Sequence, residues 1–123
     1  MIEQEMRQYL ADGATSADNY YLRIAPGNSA MPLGIVFKVA PGKRYTHSDP
    51  DGSLNDSIMQ CSCYGRSYYE AKTLAQEVIE LMHGWEAAEA EVQAVFLMNE
   101  NDLYDDATKI HHVALQFIVW HTF

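Results

Sequence analysis

Ser57-Ile58-Met59-Gln60-Cys61-Ser62-Cys63-Tyr64-Gly65, followed after Arg66 by Ser67-Tyr68-Tyr69-Glu70-Ala71-Lys72-Thr73-Leu74-Ala75, is the stretch that decides the fold. The first segment alternates in polarity, as a strand with one buried face does. In the second, Ser67 and Glu70 stand in the S-x-x-E spacing of a capping box, where each side chain satisfies an orphan backbone N–H at a helix start. Beyond the cap, Ala71, Leu74, Ala75, Val78, Leu81 and Met82 recur at three and four residues, opposite Lys72, Gln76, Glu77 and Glu80. Gly84 is a suitable C′ residue and His83 complements the helix dipole, so the spacing predicts a helix over 67–83. A strand that passes straight into an amphipathic helix predicts that helix laid across a sheet.

Upstream, Ile2, Met6, Tyr9 and Leu10 fall at helical spacing and Asp12-Gly13 closes the pattern, which predicts an N-terminal helix over 1–11. Residues 14–32, rich in Gly, Pro, Ser and Asn, read as an irregular connection pinned by Tyr20, Tyr21, Leu22 and Ile24. The next segment, 33–40, alternates with Leu33, Ile35, Phe37 and Val39 on one face and Val36 and Lys38 on the other, as a half-buried strand should. Turn signals then crowd residues 41–56, a long hairpin loop that includes Lys43, Arg44 and Tyr45.

Downstream, Val92, Ala94, Phe96 and Met98 form one apolar row, and Val113, Leu115, Phe117 and Val119 another. The acidic run Asn99-Glu100-Asn101-Asp102-Leu103-Tyr104-Asp105-Asp106 between them reads as the turn of an antiparallel hairpin. The predicted fold class is α+β: a single domain over 1–123, in the order α-β-β-α-β-β, with a mainly antiparallel four-stranded sheet. Ile118 and Trp120 fall on the non-core face of the last strand, together with Gln116, where solvent alone would favour polar residues. Either the N-terminal helix, the simpler arrangement, or a neighbouring subunit must cover that face.

At 123 residues, 48% of them hydrophobic, the chain can bury one core. Its formal charge of -9, with only 8 Lys and Arg, argues against nucleic acid or an anionic membrane as principal partner. Lacking an apolar run of the roughly 20 residues that span a bilayer, and starting on a charged segment, it is expected to be made in a cytoplasm. Cys61 and Cys63 share a strand face with Cβ atoms about 6 to 7 Å apart. That is beyond the roughly 4 Å of a disulfide, so they read as reduced core residues.

No catalytic constellation stands out. The Asp49-x-Asp51-Gly52 and Asp102-x-x-Asp105-Asp106 clusters could offer oxygens to calcium, but the EF-hand spacing and closing Glu are missing and turn chemistry explains both. His111 and His112 point to opposite faces of a strand, and His121 lies roughly 33 Å from His111, so no His pair chelates one ion. Nucleophile elbow, P-loop and dinucleotide fingerprints are absent. From the residues, catalytic, cofactor and metal sites are all none. The alternative is a small ligand-binding or metal-dependent enzyme module using the Asp and His loops.

Three segments taken in order carry a resemblance: Pro32-Leu33-Gly34-Ile35-Val36-Phe37, Met59-Gln60-Cys61-Ser62-Cys63-Tyr64 and the 67–75 helix start. With the acidic run at 101–106 and His112-Val113-Ala114-Leu115-Gln116-Phe117-Ile118-Val119-Trp120, they resemble the tail-completion, head-to-tail joining family of long-tailed bacteriophages. The resemblance runs from about Tyr21 to Trp120, with Cys61 standing where an aliphatic residue is more usual. It implies a non-enzymatic structural protein of the virion, assembled in the host cytoplasm and placed at the head-proximal end of the tail. The implied partners are the tail tube protein and head-tail connector proteins, and the implied assembly is a homo-oligomeric ring, commonly six-fold. Gln116, Ile118 and Trp120, with Lys43, Arg44 and Tyr45 of the long loop, are the expected interface residues.

Overall fold

A computed structural model describes residues 2–13, 15–25, 30–40, 44–46, 53–88 and 92–121. The elements are α1 (Ile2–Asp12), β1 (Asn19–Leu22), β2 (Leu33–Ala40), β3 (Arg44–Thr46), β4 (Ser53–Gly65), α2 (Tyr68–Ala88), β5 (Val92–Asp105) and β6 (Ile110–His121). They build an α+β fold with one mixed sheet in the spatial order β1-β2-β4-β6-β5, and β3 paired to β4 off that path. The expected four antiparallel strands are β2, β4, β5 and β6. The sheet differs from the expectation in having β1, parallel to β2 at one edge, and the short β3. Part of the expected 41–56 loop is therefore strand: Arg44 to Thr46 pair with Ser53 to Asn55.

The cap at the start of α2 forms. The Glu70 N–H donates to Ser67 Oγ at 3.1 Å, and Glu70 Oε1 accepts from the Arg66 N–H at 3.0 Å. From there Ala71, Leu74, Ala75, Val78 and Met82 are fully buried against the sheet. The helix does not stop at Gly84 but runs to Ala88. Trp85, one residue on, is fully buried and stacks on Tyr9 of α1 with centroids 5.5 Å apart. Burying an indole outweighs the cost of about 1 kcal/mol for a helical glycine. His83 accordingly sits within the helix rather than at its end.

Both helices lie on the same face of the sheet. Ile2, Met6 and Leu10 of α1 join Val78 and Met82 of α2 and Val36, Met59 and Leu115 of the strands in one core. The Tyr9 hydroxyl donates to the Leu81 carbonyl, which ties the helices together. The expectation that α1 covers the second face is thus overturned.

Two strands present other faces than their alternation suggested. In β2, Val36 opposes Cys61 and Gly34 opposes Cys63, so these two face the helices. Tyr20 fills the space beside Gly34, where a Cβ would come within 2.5 Å of its ring. Ile35 and Phe37 consequently lie on the outer face, half-buried, and Val39 is exposed. In β5 the register shifts between Val92 and Ala94, and again between Leu97 and Asn99. A shift of one residue exchanges the faces of all that follows. Val92 and Val95 therefore pack on the core, whereas Phe96 and Met98 are exposed.

Candidate functional site

Strand pairing fixes what the outer face carries, because cross-strand partners share a face. Ile58, Ile118 and Phe96 form one row across β4, β6 and β5, and Asp56, Trp120 and Ala94 form the next. Phe37, Gln60, Gln116 and Asn99 make a third. Here Gln116 Nε2 donates to Gln60 Oε1 at 3.1 Å and Gln60 Nε2 to Ser62 Oγ at 2.8 Å. Neither helix reaches this face. Phe96 is 58% exposed, and Ile58, Ile118 and Trp120 are half-buried. A hydrogen-bonded polar strip beside an apolar row suits a protein contact: the strip fixes orientation and the apolar row supplies area.

Beyond this face the β5–β6 hairpin continues as an arm. The acidic run expected as its turn is strand, with Asp102 opposite Val113 and Asp105 opposite Ile110, and the turn itself is 106–109. The run stays extended because Lys72 on α2 anchors it from the helix side. Lys72 Nζ lies 2.7 Å from Glu100 Oε2 and 2.9 Å from Asp102 Oδ1, and the Tyr68 hydroxyl donates to Asp102 Oδ2 at 3.1 Å. The hydrogen bonds to Glu100 and Asp102 raise the Lys72 pKa, and Lys72 lowers that of Asp102. All residues from 101 to 109 are exposed.

Of the expected interface residues, Gln116, Ile118 and Trp120 lie together on the outer face of β6. Arg44 and Tyr45 belong to β3, at the opposite end of β4 from the arm, and Lys43 lies outside the described residues. Asp49 and Asp51 also lie outside them. Asp105 makes the turn bond expected of it, with Oδ1 accepting from the Ala107 N–H at 3.0 Å. Among the described residues no three His, Cys, Asp or Glu side chains gather as a metal site would require. Cys61 and Cys63 are buried and unbridged, and the hydrogen bond between them, with burial, raises the Cys63 pKa. His111 and His112 do face opposite ways. His111 meets Tyr68 and Tyr104, and His112 stacks on Tyr64 at 4.3 Å.

Alternation puts Phe96 in one row with Val92, so its place on the outer face is not legible in the sequence; the bulge at Val92–Ala94 has no sequence signal. Lys72 was placed only on the wet side of α2. Its acidic partners were visible, but not that they were strand.

The sequence matches the family described as Tail completion protein gp17 over residues 6–122. No curated protein matches it. Among solved structures, a chain from the "Virion of native gene transfer agent (GTA) particle" is similar in fold, with a TM-score of 0.66 at 16% identity. That match covers 96% of this chain and 92% of the other.

Proposed function

This chain belongs to the tail completion protein gp17 family of bacteriophage virion structural proteins, and from that premise we propose that it completes the tail at its head-proximal end and joins it to the head connector. In this reading its partners are the tail tube protein and connector proteins, and its copies form a ring. The observation that carries the contact surface is the outer sheet face, left bare by both helices and bearing Phe96, Ile118 and Trp120. A closed ring needs heterologous contacts, in which two different patches of each subunit meet. In this reading the outer face supplies one such patch and the β3 end of the sheet the other. The negative charge of -9 holds free copies apart until those patches are engaged.

Deleting the gene from its parent phage and imaging the lysate tests this. The expected result is filled heads and tails that are not joined, with joining restored when purified protein is added. Particles of normal yield and appearance without the gene would overturn the proposal. Tail length separates the two roles: overlong tails indicate a cap that ends tail growth, and tails of normal length indicate a joint alone.

A further inference from the structure

At the arm end of the outer face lies a groove of about 340 Å³ lined by Tyr64, Leu103, Tyr104, Asp105, Ile110 and His112, with Thr108 at its turn. That volume is at the small end of ligand pockets. Its apolar floor includes Leu103, 53% exposed, which is costly surface for a free chain to present. Tyr64 and His112 stack with their planes 14° apart, so the groove has an aromatic wall.

The charge at the groove is net negative, Asp105 and Asp106 against Lys109 in the same turn. Asp105 uses Oδ1 to hold the Ala107 N–H, and Oδ2 bonds nothing among the described residues. Asp106 follows it in the turn, against the single cation Lys109. Burial lowers the His112 pKa, which disfavours a positive charge on this ring. His112 Nε2 is shut off from solvent and has no hydrogen-bond partner among the described residues.

We infer that this groove binds an arginine side chain of another virion protein. A guanidinium is the group that stacks flat on aromatic rings and forks onto a carboxylate at once, while its methylenes lie on apolar surface. Lysine offers the charge without the plane. That the arginine belongs to a virion protein rests on the tail-joining reading, whereas recognition of the guanidinium does not.

The test is a titration of the purified, isotope-labelled chain with N-acetyl-arginine methylamide, followed by amide and ring NMR signals. The lysine and citrulline counterparts serve as controls. Saturable shifts confined to 103–112 and Tyr64 are expected with arginine. Binding should be at least about five-fold weaker with lysine and absent with uncharged citrulline. Asp105→Asn, whose amide oxygen can still hold the turn, should weaken arginine binding by at least about five-fold, with the rest of the spectrum unchanged. Absence of saturable shifts in the groove, or equal binding of lysine or citrulline, overturns the inference. Because the titration uses the isolated chain, its failure is distinct from a failure of the joining assay, which uses heads and tails.

Discussion

His112 shows how one side chain couples packing to solution conditions. Its half-buried position against Tyr64 takes it partly out of water, and that desolvation lowers its pKa from the ordinary 6.5. A depressed folded-state pKa means that the unfolded chain binds the proton more readily, so this contribution to stability is fully present above the unfolded value and is lost as pH falls through the folded one. Denaturant unfolding followed between about pH 7.5 and 5 should therefore show stability falling with pH. In His112→Phe, which keeps an aromatic ring for Tyr64, the fall should be shallower; an unchanged slope would show that other groups carry it. The buried pair of Ser57 and His121, with Ser57 Oγ 2.7 Å from His121 Nε2, makes a second prediction. Ser57→Ala removes a buried partner and should cost about 1 to 3 kcal/mol in the same assay.

At the scale of elements, the connection from β4 into α2 is tight enough to be tested by one methyl group. A Cβ on Gly65 would come within 2.7 Å of the Ala71 backbone nitrogen, which no side-chain rotation relieves. Gly65→Ala should cost about 1 to 3 kcal/mol. Gly84→Ala should do the opposite: its Cβ meets only the Tyr9 hydroxyl at 3.4 Å, and the helix gains up to about 1 kcal/mol of propensity. Thermal unfolding of the two variants should shift in opposite directions. The arm depends on Lys72, so Lys72→Met should speed amide exchange in 99–109 and leave β4 and β6 near Cys61 and Leu115 unchanged. The capping box, the stripe from Ala71 to Met82 and the β6 row of Val113, Leu115, Phe117 and Val119 were legible in the sequence because each is a local pattern with a single reading. Other features were settled by distant partners and so were not. Trp85 carries α2 past Gly84 because Tyr9, far away in the chain, stacks on it. β2 turns Val36 inward because Gly34 makes room for Tyr20. β1, at four residues, is too short for alternation to reveal. Ile118 and Trp120 of β6 were legible as apolar positions on the non-core face, whereas Phe96 was hidden by the bulge in β5.

For the whole molecule, one side of the sheet is covered by two helices and the other is left uncovered by both, with an acidic arm at one end. Charge and apolar surface then oppose each other in solution. The screening length falls from about 10 Å at 0.1 M salt to about 3 Å at 1 M, so light scattering should show self-association rising with salt as the charge of -9 is masked. A mass independent of salt would remove charge repulsion from the account. The central claim is that the open face joins this chain to its neighbours in the virion. It is tested most directly by the yield of joined particles when heads and tails that lack the protein are mixed with purified wild type or with the double variant Phe96→Asp, Trp120→Ala. The account predicts that the variant stays folded, with its core-side spectrum intact, and that joined particles fall at least ten-fold, about 1.4 kcal/mol. A folded variant that joins heads to tails as well as wild type would contradict it.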